Sequence, residues 1–186
     1  GATAVCGGTA TAAPMHGYAA TVLTGVKQDH YIVQQEVFGP VAPIIQVSNI
    51  EELCEQGLDL VVIASGNQVH LSQALAAIKA GIPTVVDKPM GINVAQTEEI
   101  LNASMSAGVP VTTYFNRKWD SDILTLKRVI RDGHIGRVIR MDSRFERFRP
   151  LLNPQSWREN NSPQDGGGLL LDLAPHLIST AIECFG

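Results

Sequence analysis

Residues 59–65 read Asp-Leu-Val-Val-Ile-Ala-Ser, a continuous apolar run that predicts a β-strand covered on both faces. Apolar residues then recur at helical spacing over residues 71–78, and Gly81 ends the pattern. Asn67 stands where an N-cap of this helix is expected. A buried strand followed directly by a helix is the start of a parallel α/β unit, so this stretch decides the fold class.

The same alternation continues towards the C-terminus. It predicts two more strands and two more helices, at residues 84–87, 94–107, 109–115 and 120–131, with Asp120 or Ser121 as the last N-cap. Strands that alternate with helices of this length form a doubly wound parallel sheet. We therefore expect an α/β fold for this part of the chain.

The pattern changes after Gly136. Residues 136–149 alternate apolar and charged side chains with a period of two, which predicts a strand with one solvated face, as in an antiparallel sheet. Residues 150–165 are polar and predict a loop. A glycine triplet, residues 166–168, then precedes an apolar helix expected over residues 169–183.

The first fifty residues follow neither pattern. They predict a strand and turn, a loop and two β-rich runs, at residues 1–8, 9–17, 18–26 and 31–47. Ser48 and Glu51 stand at capping-box spacing before a helix. This region is therefore expected to differ in origin from the α/β part.

Composition excludes several classes of function. The 186 residues carry a net charge of −4, with no basic cluster that would indicate nucleic acid or an anionic membrane as a partner. The three cysteines include no CxxC pair, so neither a disulfide framework nor a metal site is predicted. No apolar run is long enough to cross a bilayer, and a cytoplasmic location is the expectation.

Four motifs occur in a fixed order beyond residue 52: residues 59–70, Asp-Lys-Pro at 87–89, Gly-His-Ile-Gly at 133–136, and residues 166–176. In this order they make residues 53–186 resemble the glucose-fructose oxidoreductase/inositol dehydrogenase (Gfo/Idh/MocA) family. Members of that family are two-domain NAD(P)-dependent oxidoreductases that act mostly on sugars and polyols and are often homo-oligomeric. The usual motif at 87–89 is Glu-Lys-Pro, so Asp87 shortens that side chain by one methylene.

The resemblance implies the C-terminal half of a Rossmann-type sheet over residues 53–116 and the start of an α+β substrate domain over residues 117–186. It implies NAD or NADP as cofactor and a sugar or polyol as substrate. It also implies a catalytic set of Lys88, Asp172 and His176, and a cofactor-binding set of Ser65, Gly66, Asn67, His70, Asp87, Lys88, Pro89, Asn116 and Arg117.

The residue types suit hydride transfer from an alcohol. Asp172 and His176 are four residues apart on one helix face, so the carboxylate can orient an imidazole that acts as general acid/base. Lys88 follows a buried strand, where its ammonium can favour a developing alkoxide. Structural roles stay open: a solvated Asp/His pair, a snorkelling lysine, and His70 as a packing residue.

Residues 1–52 instead resemble part of the aldehyde dehydrogenase catalytic domain. The resemblance lies in residues 31–41, Tyr-Ile-Val-Gln-Gln-Glu-Val-Phe-Gly-Pro-Val, preceded by Thr-Val-Leu-Thr-Gly at 21–25. In that family the residues at the positions of Glu36 and Phe38 contact the nicotinamide end of the cofactor. The sequence thus predicts a join of two genes near residue 50.

The chain contains no G-x-G-x-x-G phosphate-binding turn, and 186 residues are few for a two-domain enzyme. We therefore expect an incomplete chain with a truncated substrate domain. Three alternatives remain at this point: an NAD(P)-dependent oxidoreductase, an inactive fragment or fusion product, and an aldehyde dehydrogenase remnant.

Overall fold

The computed structural model describes residues 1–10, 17–146, 148–151 and 153–186, so most of the predicted loop over residues 9–17 lies outside the described residues. The chain divides into two compact units, Gly1–Gly57 and Leu58–Gly186.

The first unit contains a three-stranded sheet with the order β1-β2-β3, formed by Thr3–Cys6, Thr21–Thr24 and Val41–Pro43. Strands β1 and β2 are antiparallel, whereas β2 and β3 are parallel. Two short helices, α1 (Tyr31–Gln34) and α2 (Ile50–Cys54), complete the unit. Gly7 and Gly8 both have positive φ and make the turn that the sequence predicts after β1.

Two expectations for this unit are wrong in detail. Residues 31–34 form a helical turn instead of a strand, because the Gln35 amide closes a local hydrogen bond on the Tyr31 carbonyl and no strand pairs with this segment. The cap of α2 is Asn49 and not Ser48: the Asn49 side chain accepts from the Glu52 amide at 2.8 Å. Asn49 and Glu52 hold the N-cap and N3 positions, so the capping pair lies one residue later than predicted.

The second unit is built on a parallel sheet with the order β4-β5-β6. Its strands are Val61–Ile63, Thr84–Asp87 and Val111–Tyr114, all rich in β-branched residues, which favour extended backbone. Helices α3 (His70–Lys79) and α4 (Val94–Ala107) connect them, and a 3₁₀ turn, Asn67–Val69, precedes α3. The sheet therefore confirms the predicted parallel α/β architecture.

The core of this unit lies between the sheet and its two connecting helices. Its buried apolar side chains are Val61, Ile63, Ala74, Ala77, Ile78, Ile82, Val86, Ile100 and Val109. The opposite sheet face is not covered by the described residues, and Val62 there is 63% exposed. The prediction of a strand covered on both faces is therefore wrong for β4. An apolar run indicates that a strand is hydrophobic, but it does not indicate how many layers pack against the sheet.

No strand forms in the described part of residues 136–149, which contradicts the period-two prediction. A strand needs a neighbouring strand for its ladder hydrogen bonds, and no described strand pairs with this segment. Its charges pair along the segment instead, as Arg140 does with Asp142 at 2.9 Å.

Three helices follow β6: α5 (Ser121–Arg131), α6 (Trp157–Asn160) and α7 (Leu169–Phe185). Asp120 occupies the N-cap position of α5, but its side chain makes no capping hydrogen bond. Helix α6 and a 3₁₀ turn at Pro163–Asp165 lie within the predicted loop. Helix α7 begins where the sequence predicts and runs two residues further. No helix of the described residues is long and apolar enough to cross a membrane.

Helix α4 offers a test of the core. We expect Ile100→Ala to lower the free energy of unfolding by about 2–5 kcal/mol, because Ile100 is fully buried and its removal leaves a cavity. The matched control is Met105→Ala on the same helix, where the side chain is 71% exposed and the expected change is about 0.5 kcal/mol or less. Urea unfolding followed by far-UV circular dichroism measures both. Equal losses in the two variants would contradict the assigned core.

Candidate active site

The C-terminal ends of β4, β5 and β6 lie at one edge of the sheet, since all three strands are parallel. Each strand is followed there by residues that the sequence predicts for the site: Ser65, Gly66 and Asn67 after β4, Lys88 and Pro89 after β5, and Asn116 and Arg117 after β6. Open α/β sheets bind ligands at this edge. The fold therefore brings the predicted cofactor-binding segments together.

Lys88 links this edge to helix α7. Its ammonium donates to the Asp172 carbonyl oxygen at 2.6 Å and to the Asp172 Oδ1 atom at 3.0 Å. The two side chains are only 12% and 27% exposed, so water screens their ion pair less than it would at the surface. Two of the three predicted catalytic residues are thus in direct contact.

A second cation also reaches Asp172. The Nε atom of Arg158 lies 3.3 Å from the same Oδ1 atom, and the Arg158 guanidinium stacks over the Trp157 ring at 4.5 Å. Among the described residues no partner is found for Asp172 Oδ2. One carboxylate oxygen is therefore held by two cations, and the other is available to a ligand.

Among the described residues His176 donates no hydrogen bond to the Asp172 carboxylate, although the sequence predicts that this carboxylate orients the ring. Its Nδ1 atom is buried and has no hydrogen-bond partner in the part of the chain that the structure describes, while the residue as a whole is 8% exposed. Asp172 and His176 have the expected spacing along α7, but the Asp172 carboxylate binds Lys88 and Arg158 instead. A hydrogen bond from a charged donor to a carboxylate is stronger than one from a neutral imidazole.

The surroundings of His176 favour its neutral form. Burial lowers the pKa of His176 below its ordinary value, and the positive charges of Lys88 and Arg117 lower it further. Asp172 and Asp87 act in the opposite direction but do not reverse the shift. At neutral pH the ring is therefore uncharged and able to accept a proton.

A cavity of about 510 Å³ lies beside this cluster. Charged side chains of both signs line it, together with the start of α7: Arg117, Glu146, Arg149, Arg158, Glu159, Asp172 and residues 168–169. The Arg149 guanidinium pairs with Glu159 at 2.6 Å. Such a lining offers both donors and acceptors to a polar ligand.

Phe145 lies between His176 and Arg117. Its ring meets the His176 imidazole edge-on with centroids 6.2 Å apart, and the Arg117 guanidinium lies 5.0 Å from the Phe145 centroid. Arg117 also pairs with Asp120 at 3.3 Å, while Asn116 is exposed. Arg117 thus belongs to the surroundings of His176, and a contact of Asn116 with the cofactor stays a prediction.

Asn67 does not cap a helix as predicted. It begins the 3₁₀ turn itself, and its side-chain amide donates to the Gly166 carbonyl oxygen at 2.8 Å. Asn67 is only 5% exposed, so this bond is shielded from water. The side chain therefore connects the turn after β4 to the glycine triplet before α7.

His70 is fully buried, and its ring lies between two backbone carbonyls. Nδ1 is 2.8 Å from the Pro89 oxygen, and Nε2 is 3.2 Å from the Ser65 oxygen. A direct contact between His70 and the cofactor stays a prediction that this burial disfavours. The ring instead holds together the loops that follow β4 and β5.

The other predicted residues make local contacts. Ser65 Oγ donates to the Gln73 side chain at 2.6 Å, and Asp87 Oδ1 accepts from the Lys88 amide at 2.9 Å. Sequence reasoning missed Arg158 and the Asn67–Gly166 bond. The partners of that bond are 99 residues apart, and no local pattern signals such a contact. No group of three or more metal-ligating side chains lies close enough to hold a metal among the described residues.

The second unit has a parallel sheet with Lys88 at its C-terminal edge, and a helix that bears Asp172 and His176. Lys88 pairs with Asp172 of this helix. These features define an α/β protein with its ligand site at that edge of the sheet. The model of the GFO/IDH/MocA C-terminal domain matches residues 123–186. Residues 123–186 therefore match the Gfo/Idh/MocA family, in agreement with the resemblance that the sequence motifs indicate.

Individual relatives agree with this assignment. The chain is 42% identical to the oxidoreductase YdgJ of Escherichia coli K12 over 132 residues, which are 71% of this chain and 37% of YdgJ. It is 30% identical to the scyllo-inositol 2-dehydrogenase (NADP(+)) IolW of Bacillus subtilis, over 75% of this chain and 38% of IolW. A solved oxidoreductase structure from Yersinia pestis superposes with a TM-score of 0.66 at 38% identity, covering 80% of this chain and 40% of that one.

The chain spans less than two fifths of the length of these two curated relatives. The model of the aldehyde dehydrogenase family matches residues 1–85 and so extends past the predicted join near residue 50. The similarity to YdgJ covers 132 of the 186 residues. A continuous match of that length includes residues 55–132 wherever it begins. It therefore includes β4 and α3 as well. Glu36 and Phe38 lie in the first unit and are exposed.

The charges around His176 predict pKa shifts of opposite sign in two variants. Arg117→Gln removes a positive neighbour and should raise the pKa of His176, whereas Asp172→Asn removes a negative one and should lower it. A titration of the imidazole carbon-bound protons by NMR measures both, with the exposed His134 as internal control. Shifts of the same sign in the two variants would contradict the assigned electrostatics.

Proposed function

We propose that this chain carries the acid/base centre of an NAD(P)-dependent oxidoreductase, which moves a hydride between the nicotinamide and a hydroxyl-bearing carbon of a sugar, polyol or related substrate. The proposal depends on one observation: a buried His176, whose Nδ1 atom has no partner among the described residues, beside the Lys88–Asp172 pair at the C-terminal edge of a parallel sheet. We assign residues 1–52 to an aldehyde-dehydrogenase-like segment, 53–116 to part of a dinucleotide-binding domain and 117–186 to part of a substrate domain.

Two features of the second unit suit a nicotinamide cofactor. The loops after three parallel strands meet at one edge, and the buried Nδ1 atom of His176 lacks a partner, as expected where a ligand completes the site. The nicotinamide end of the cofactor would be held by the predicted cofactor-binding segments, residues 65–67, 87–89 and 116–117. When bound, the cofactor accepts or supplies the hydride.

His176 takes the proton in this scheme. During oxidation the substrate hydroxyl gives its proton to the unpartnered Nδ1 atom, and during reduction the protonated ring returns it. The lowered pKa of His176 keeps the ring neutral, and thus ready to accept, down to a lower pH than an ordinary histidine. Oxidation should therefore weaken only as the pH falls through that lowered pKa.

Lys88 and Asp172 bind the same hydroxyl region. The Lys88 ammonium has a third hydrogen beyond the two bonds to Asp172 and can stabilise a developing alkoxide. Asp172 Oδ2 can accept a hydrogen bond from a neighbouring hydroxyl. A substrate with adjacent hydroxyls matches this pairing, and the similarity to IolW, a scyllo-inositol 2-dehydrogenase, supports a polyol.

A matched pair of variants tests this centre. We expect His176→Gln to reduce kcat for NAD(P)-dependent polyol oxidation by about 10²- to 10⁴-fold, because the general base is lost. The control is His134→Gln, the same change at an exposed position, which should leave kcat unchanged. Cofactor reduction followed at 340 nm measures both. Full activity of His176→Gln, or no polyol oxidation by the unaltered chain, would overturn the proposal.

A further inference from the structure

We infer that Asn67 is a positioning residue, whose hydrogen bond to Gly166 holds the start of helix α7 in register with the sheet edge and so aligns Asp172 and His176 with Lys88. The inference rests on the proposed function for its catalytic meaning. The bond itself lies within the second unit.

The bond is well suited to fix a position. Asn67 Nδ2 donates to the Gly166 oxygen at 2.8 Å across 99 residues of sequence, and both residues are buried. A buried amide has no water to replace a lost partner, so the arrangement that makes the bond is favoured over any that breaks it. A shift of the glycine triplet away from β4 would leave both groups unpaired.

Packing around Gly166 leaves no freedom either. A Cβ atom at this position would lie 2.9 Å from Asn67 Cβ, 3.1 Å from the Gln68 amide nitrogen and 3.1 Å from Ile92 Cγ2. The φ angle of Gly166 is +81°, which side-chain-bearing residues rarely adopt. The backbone of the triplet therefore sits directly on the turn that Asn67 begins.

The constraint reaches the catalytic residues through short backbone links. The Gly168 carbonyl accepts from the Asp172 amide at 3.2 Å, and the Gly168 amide donates to the Arg158 carbonyl at 2.8 Å. Asp172 is thus fixed six residues after Gly166, and His176 follows one helical turn later. A displacement of Gly166 would therefore displace the Asp172 and His176 side chains as well.

The turn that holds Gly166 is itself fixed to the strand that carries Lys88. His70, three residues after Asn67, binds the carbonyls of Ser65 and Pro89. The contacts form a closed circuit. It runs from Asn67 to Gly166 and along α7 to Asp172. The ion pair then links Asp172 to Lys88, and Pro89 and His70 complete the return to Asn67. Asn67 is the member of this circuit that joins the glycine triplet to the sheet.

The test replaces the donor and keeps the shape. Asn67→Asp substitutes a carboxylate oxygen for the amide nitrogen, so two acceptors face each other. We expect a fall in kcat of at least about tenfold, with a smaller change in the KM for the polyol, since alignment and not substrate contact is lost. We also expect the pKa of His176, titrated by NMR in the chain without ligand, to rise towards its ordinary value as Lys88 and the ring separate.

Two controls separate alignment from stability. Gln68→Ala changes an exposed side chain in the same turn and should alter neither kcat nor the titration of His176. Ile100→Val weakens the core of the same unit without touching the bond, and should lower the unfolding midpoint while leaving the His176 titration unchanged. If the Ile100→Val variant shifts the titration as much as Asn67→Asp does, the role of Asn67 is only structural and the inference fails.

A second variant covers a folding failure. Asn67→Ser is smaller and uncharged, should fold, and should shift kcat and the His176 titration in the same direction. If both Asn67 variants are unfolded, or if both are folded with an unchanged titration, the inference is overturned. The proposed function fails separately: absence of polyol oxidation by the unaltered chain, together with a shifted titration in Asn67→Asp, would reject the reaction and retain the alignment.

Discussion

The ion pair between Lys88 and Asp172 is the interaction on which the site depends. It joins the end of β5 to α7 across 84 residues, and its two side chains are largely withdrawn from water. Removal of one partner would leave the other charge poorly solvated, so the pair constrains the helix more strongly than an exposed ion pair would. Lys88 and Arg158 both bind the Asp172 carboxylate, and His176 has no carboxylate partner among the described residues.

This arrangement decides the chemistry of His176. An imidazole held by a carboxylate would have its charged form stabilised, whereas burial and two nearby cations lower the pKa here. Lys88 therefore pairs with Asp172 and also adds to the effect of burial in lowering the pKa of His176. In the proposed reaction, this one set of contacts would supply both the base for the hydroxyl proton and the cation for the resulting alkoxide.

Sequence patterns predicted the elements whose signals are local. Helix α4 has the predicted bounds because Asn93 caps its start with a side-chain bond at 2.9 Å and Gly108 ends it with φ of +65°. The segment 136–149 was mispredicted because a period of two describes side-chain alternation, while a strand also needs a neighbour. The candidate site residues were proposed from residue type and from the family resemblance of their motifs, but Arg158 and the partner of Asn67 depend on long-range packing that no local window contains.

Asp87 shows how a small change of side chain is absorbed at this edge. The motif that the sequence resembles has glutamate here, and the shorter aspartate turns back so that Oδ1 accepts from the Lys88 amide at 2.9 Å. Its carboxylate thus fixes the backbone from which Lys88 extends, and its charge still acts on His176, whose pKa it raises. The shorter residue therefore supports the position of Lys88 and leaves the contact between Lys88 and Asp172 intact.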